Sequence, residues 1–196
     1  MNALVPTRNE FSHLLRNLSA GPTEARRILN RAMGALRAQH VLRRCTLEGH
    51  VYVGGNLHCV AEGNVTIGER VHFFDGILTS ELLCHPGAHL SIGERCKFNY
   101  GFSLEAHQSV RIGRRCMIAS MVRICDGQRG RTAPVVIGDD VWIAHGAIIE
   151  PGVEIGEGSV VSAGSVVTTS VPPAHLAIGN PARVLRLETV GSANPA

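Results

Sequence analysis

Proton-transfer chemistry in this sequence would fall to a small set of groups. His107, His145 and Asp126 each stand at or beside a turn between apolar, repeated segments. An imidazole takes up a proton near neutral pH, and a carboxylate can orient that imidazole or accept a proton itself. His107 stands in LEAHQS, three residues past Leu104; His145 stands in WIAHG; Asp126 opens the stretch DGQRGRTAPV. A lone histidine at such a place is more often structural than catalytic, so spacing alone does not choose among them. The six cysteines, at positions 45, 59, 84, 96, 116 and 125, include no CxxC pair. That argues against a disulfide framework or a zinc knuckle. Cys59, Cys96 and Cys116 fall in or next to apolar repeat slots, where a thiol serves as a small hydrophobe.

The elements that must hold these groups repeat every sixth residue. Ile137, Ile143, Ile149, Ile155, Val161 and Val167 recur without a miss. Four places after each stand Val141, Ala147, Val153, Ser159, Ser165 and Val171, all small or β-branched. A period of six fits neither an amphipathic helix nor an alternating strand, and fixed short periods of this kind mark a solenoid. Three hexads then make one coil with three flat sides. One coil cannot close a core, so coils must stack. From Leu47 the pattern is looser, and the first positions of successive coils fall at 47, 67, 92, 112, 137 and 155. If a coil is about 18 residues, each excess fits between a coil's third hexad and the next coil's first. The spacing therefore predicts insertions that all leave one corner of the prism. His107 and the 125–134 loop would share that corner one coil apart, with rungs about 4.8 Å from each other.

Ahead of the repeats, Phe11, Leu14, Leu15 and Leu18 keep helical spacing up to the break at Gly21-Pro22. A second helix is expected from Thr23 as N-cap, with Ala25, Ile28, Leu29, Ala32 and Leu36 as its apolar stripe. The organisation read this way is a helical cap over 1–44, a solenoid over 45–173, and a tail over 174–196 with a turn at Gly179-Asn180-Pro181. Residues 1–44 hold eight Arg against Glu10 and Glu24, a local charge of +6 in a chain of net +3. No aromatic residues interleave with these arginines, so a solvated helix face is expected and no nucleic-acid partner. No run of about 18 apolar residues exists, so no membrane span is expected. The start shows no basic-then-apolar leader, and with the unpaired cysteines this points to a cytoplasmic protein.

The repeat, the strings VVIGDDVWIA and SAGSVVT, and the ending IGNPARVLR resemble the hexapeptide-repeat acyltransferases, closest in flavour to the galactoside, maltose and capsular-sugar O-acetyltransferases. The resemblance covers roughly residues 47–187. It implies an all-β solenoid, a left-handed parallel β-helix, working as a homotrimer with acetyl-CoA as cosubstrate between neighbouring solenoids. Ala119, Ala144, Ala163 and Thr168 match positions lining the pantetheine and nucleotide groove, as does His145. Small residues there let a thin thioester arm lie close to the backbone. Arg183 and Arg186 match basic residues that meet the coenzyme phosphates, for which a guanidinium fork is suited. Thr169 departs from the Lys common at that place. Asn99 in KFNYG matches a residue near the acceptor sugar.

In the family this chain resembles, the loop after the fourth coil carries the histidine that deprotonates the acceptor hydroxyl. Here that loop has none; Gln128, Arg129 and Gly130 stand at the matching places, with Gln128 a candidate for substrate contact. Gln is no general base and Arg stays protonated. His107, which matches an acceptor-site Asp of these enzymes, His145 and Asp126 are the available substitutes. His85 and His89 in CHPGAH raise a metal reading, since some hexapeptide-repeat proteins are zinc enzymes. Two histidines fall short of the usual three-ligand catalytic site, so no metal is expected. The function implied is O-acyl transfer to a hydroxyl of a sugar or sugar-containing molecule. The alternative is a trimeric scaffold or regulatory subunit that has lost catalysis.

Overall fold

The computed structural model describes residues 22–128 and 130–187. Among the described residues it is a parallel β-solenoid of six coils behind one helix, α1 (Pro22–Val41), with twenty-two short strands from β1 (Thr46–Leu47) to β22 (Ala182–Arg186). The sixfold residues are the inward-facing ones, and they stack in three columns. Leu47, Ile67, Ile92, Ile112, Ile137 and Ile155 pair one above another on the first face. Val53, Phe73, Phe98, Ile118, Ile143 and Val161 do so on the second. Cys59, Leu82, Leu104, Ile124, Ile149 and Val167 form the third. Most of these side chains are fully buried, with Phe73, Phe98 and Phe102 packed ring to ring inside the second and third coils. This is the left-handed β-helix architecture expected from the resemblance.

Many of the corners are closed by a residue with positive φ. Between the first and second faces these are Arg70, Arg95, Arg115, Asp140, Gly158 and Ala174, all near φ 56–66°. Backbone hydrogen bonds run from each to the coil beneath, as from Arg115 to Glu94 and from Asp140 to Arg114. The strain of a non-glycine residue in this region is held by repetition of the same turn in successive layers from the second coil on.

The insertions do not all leave one corner. In the second coil the third-face residue is Leu82, nine residues past Phe73, so residues 74–79 bulge at the corner between the second and third faces. The remaining excess does fall between the third and first faces. There His85–Ala88, His107–Gln108 and the 126–134 loop lie on successive coils. That loop is a small antiparallel hairpin pairing Gly127 with Thr132 and Gln128 with Arg131.

α1 begins at Pro22, so Thr23 lies inside the first turn and not at the cap; proline suits this start because its missing N–H would lack an intrahelical partner. Of the expected stripe, Leu29 and Leu36 are exposed and Ala32 is half-buried, and the side chains of Ala25 and Ile28 lie outside the described ones; Ala38 and, just past the helix, Leu42 are buried against the first coil. Gly34 is what permits the approach: a Cβ there would stand 2.0 Å from the Tyr52 ring. The helix expected over residues 11–18 and the tail beyond 187 lie outside the described residues. At the other end, β21 (His175–Gly179) extends the second face and turns at Asn180-Pro181 into β22, completing a hairpin. Among the described residues no helix is long and apolar enough to cross a membrane.

Candidate active site

The corner between the third and first faces gathers the titratable groups. Cys84 pairs with Ala106, which sets His85 directly beside His107 on the next coil. Their rings stack with centroids 4.2 Å apart and planes 13° from parallel. Glu105 and His107 alternate on the outer side of β9 (Ser103–Ala106) and its turn, so both project the same way. Glu105 Oε1 lies 3.0 Å from His85 Nε2 and 3.1 Å from His107 Nε2. The hydrogen bond from His85 holds the Glu105 carboxyl below the ordinary carboxylate range against partial burial, and the His107 imidazole acts in the same direction. Its other oxygen faces Cys125 Sγ at 3.7 Å. Burial pushes the Cys125 thiol up, so it is a neutral neighbour.

Asp126 fixes this cluster from the coil above. It is fully buried, and its carboxylate accepts the backbone N–H groups of His107 at 2.6 Å and Gln108 at 2.8 Å, as well as that of Ser109. A carboxylate occupied in this way shapes the turn and has no open side to offer a substrate. Gly127 packs against the His107 ring, where a Cβ would come within 2.4 Å of a ring carbon. Gln128 is half-buried on the adjoining hairpin, and Arg129 lies outside the described residues.

A second group of candidates occupies a different corner, between the second and third faces. Asn99, Ala119 and Ala144 stack there on successive coils, each amide bonding the coil above. Phe74, Lys97, Asn99, Met117, Ala119 and Trp142 line a shallow groove of about 140 Å³. Met117 and Trp142 are half exposed beside it. One place further along the turn, His145 Nδ1 meets Ser120 Oγ at 2.7 Å, and Ala163 follows in the next coil, where the Gly164 amide bonds His145 O. Arg183 pairs with Ile178 at the near end of the terminal hairpin, on this side of the prism. Arg186 pairs with His175 at the opposite end, about 10 Å along the strand. Thr168 is exposed at the end of β20 (Val166–Val167), on the third face. The structure thus brings Ala119, Ala144, Ala163, His145, Asn99 and Arg183 to one corner. It does not bring Thr168, Arg186 or His107 to it.

Glu105 is the residue that sequence reading did not single out. The signal for it was present: an outward-facing pair at 105 and 107, and a histidine 22 residues earlier, the same offset that separates Leu82 from Leu104. Passing over Leu82 as a third-face residue hid that register.

Residues 134–169 match the family model described as bacterial transferase hexapeptide (six repeats). This segment is a bacterial-transferase hexapeptide repeat. An alignment over 111 residues is 36% identical to a provisionally assigned acetyltransferase of Schizosaccharomyces pombe, covering 51% of this chain and 54% of that one. Over 112 residues the chain is 34% identical to the galactoside O-acetyltransferase of Escherichia coli K12, covering 51% and 55%. The chain therefore spans about half the length of the curated relatives it matches. A solved N-acyltransferase from Bacillus cereus, in complex with dTDP and coenzyme A, shares the fold at a TM-score of 0.64 and 20% identity over 77% of this chain and 86% of that one. The fold is what the N-acyltransferase structure shares with this chain.

Proposed function

We propose that this hexapeptide-repeat chain is an acetyl-CoA-dependent O-acyltransferase acting on a hydroxyl of a sugar or sugar-containing molecule, with His107 as general base. The observation that carries the reading is the His107–Glu105 pair at a corner whose turn is fixed by Asp126. Glu105 orients the imidazole; Asp126 and Gly127 hold it in place. The base takes the hydroxyl proton as the oxygen attacks the thioester carbonyl. The C–S bond then breaks, and the thiolate of coenzyme A takes up a proton as it leaves. Such general-base assistance contributes about 10²–10⁴ in rate. The acetyltransferase relatives support the reaction class, and the galactoside enzyme supports a sugar acceptor.

The coenzyme is assigned to the groove of Ala119, Ala144 and Ala163, where small side chains leave the backbone approachable and Arg183 supplies a fork for phosphate. Because this groove and His107 sit on different corners of one prism, a single chain does not assemble the whole site. A symmetric trimer, each groove facing a neighbour's His107 corner, would assemble it and cover the exposed Trp142 and Met117. The lack of a membrane-crossing helix among the described residues and the six free cysteines support a cytoplasmic location. The test is coenzyme A titration by calorimetry, together with thiol release from acetyl-CoA over a panel of sugars and sedimentation equilibrium. Coenzyme binding, turnover with at least one sugar, and a trimer are expected. A stable monomer that turns over would remove the shared site, and absent coenzyme binding would remove the acyltransferase.

A further inference from the structure

The third corner carries more than a base and its orienting carboxylate. We propose that His85, Glu105 and His107 form a binding site for one divalent transition-metal ion of the zinc class. Three ligand atoms from three positions on two adjacent coils converge within 4.8 Å of one another. Both imidazoles aim Nε2 at the same oxygen, Glu105 Oε1, at 3.0 and 3.1 Å. Zinc binds imidazole nitrogen and carboxylate oxygen at about 2.0–2.2 Å, which in a tetrahedral site puts neighbouring ligand atoms about 3.4 Å apart. The two histidine–carboxylate separations need a few tenths of an ångström of opening, and the stacked rings must tilt so that both in-plane lone pairs meet one ion in place of the two N–H contacts. Two imidazoles with one carboxylate form a borderline donor set, suited to zinc, cobalt or nickel and unsuited to magnesium or calcium.

The fold holds this arrangement without a ligand's help. His85 is fixed at the start of its turn by backbone bonds from His85 N to Ala106 O and from Ala88 N to His85 O. His107 is fixed by the three amide bonds its turn gives Asp126, and by Gly127 against its ring. Glu105 is steadied by Cys125 Sγ at its second oxygen. The His85 and His107 side chains remain 42% and 35% exposed, so the outer side of the site is open to a water or a ligand oxygen. His89, the other histidine of CHPGAH, stays outside: its Nδ1 faces the Asn64 amide at 3.4 Å. The metal reading of that sequence motif therefore shifts from His85 and His89 to His85, Glu105 and His107.

While His107 Nε2–H faces Glu105, Nδ1 carries the lone pair that accepts the hydroxyl proton; a metal on Nε2 instead leaves the ring's one proton on Nδ1, so no base remains. Resting on the reading of His107 as base, the site is a point at which zinc shuts off acyl transfer.

The experiment uses the full chain, freed of metal by a chelator, and titrates it with zinc by calorimetry and with cobalt by visible absorption. One zinc per chain is expected, with cobalt bands of a low-coordinate nitrogen–oxygen site. His85→Ala and His107→Ala should each weaken zinc by at least about 100-fold, beyond the 10–100-fold that loss of an outer partner costs. Glu105→Gln, which keeps the shape, should weaken it and shift the cobalt spectrum. His89→Ala should bind as the parent does. Far-UV circular dichroism checks that each variant is folded. No zinc or cobalt binding by the folded parent, or binding that survives both His85→Ala and His107→Ala, overturns the site. Zinc bound at this site with turnover unchanged overturns His107 as base and leaves the metal site standing.

Discussion

Asp126 acts on His107 through the backbone and not through the ring. Its Oδ1 accepts the His107 amide at 2.6 Å, while Oδ2 accepts those of Gln108 and Ser109. One buried charge thereby fixes the turn from which the imidazole projects. Asp126→Asn keeps the shape but leaves one atom as an N–H donor facing amides that also donate. Hydrogen bonds to charged groups are worth about 1.5–3 kcal/mol each, and unpaired buried donors cost about 1–3 kcal/mol. The variant should therefore lose about 2–4 kcal/mol in urea unfolding, in monomer or trimer alike, with turnover falling as the ring moves. A midpoint unchanged from the parent would mean that the turn is held by other contacts.

An acid limit on stability should come from the corner between the first and second faces. Arg114 gives Asp139 both its backbone N–H and its guanidinium, and Arg115 gives its guanidinium to Asp140. The Arg114 backbone amide and then its side chain hold Asp139 below its ordinary value of 3.8, and the Arg115 guanidinium does the same for Asp140. A carboxyl whose folded pKa is depressed adds stability above the unfolded value. That contribution is lost as pH falls through the folded one. The melting temperature should thus be flat near neutrality and begin to drop below about pH 4. In the Asp139→Asn, Asp140→Asn double variant it should start lower and fall less steeply. Parallel curves for both proteins would show that these exposed pairs contribute nothing measurable.

The coenzyme corner distinguishes two arginines that look alike in sequence. Arg183 stands at the end of the hairpin nearest Ala144 and Ala163, and Arg186 at the end nearest His175. Arg183→Ala should weaken coenzyme A by about 1–3 kcal/mol, the value of a charge-assisted hydrogen bond, and Arg186→Ala by much less. Calorimetry on both variants, with desphospho coenzyme A as a second ligand, gives the comparison. The opposite order would place the phosphates along the outer strand.

How much of this was legible follows from the period. Between Val135 and Val171 no residue is inserted, and every inward side chain follows from counting by six. Where the count slips, register depends on which residue the core selects. Leu82 and Ile92 are both apolar and both plausible successors to Phe73; only the pairing of Leu82 with Cys59 and Leu104 settles it. The corner shared by His107 and the 126–134 loop was readable because Leu104 and Ile124 kept the count. The partnership of His85, Glu105 and His107 was not, because it spans the slipped coil. The helix gave the opposite lesson: Leu29 and Leu36 have helical spacing, but the seated face is Gly34, Ala38 and Leu42, chosen by close approach to Tyr52 and not by side-chain size.

The base should be separable from the coenzyme groove by two histidine variants. His107 makes its side-chain contacts with Glu105 and His85, whereas His145 is bonded to Ser120 beside the alanine groove. His107→Ala removes the proton acceptor and should lower kcat at least about tenfold, toward the 10²–10⁴ range of general-base assistance, with coenzyme affinity nearly unchanged. His145→Ala should do the reverse, disturbing coenzyme binding more than chemistry. Glu105→Gln tests orientation: it keeps a hydrogen-bond acceptor beside the ring but removes the carboxylate that orients it, so kcat should fall while KM for acetyl-CoA holds. Gln128→His supplies an imidazole on the hairpin beside this corner and should restore part of the rate lost in His107→Ala if it can reach the same hydroxyl. Thiol release from acetyl-CoA over a sugar panel, run beside coenzyme titration, reads all four. Equal rates in parent and His107→Ala would eliminate His107. Loss of both rate and coenzyme affinity in His107→Ala would instead mean that the two corners meet at one site more closely than a division of roles allows.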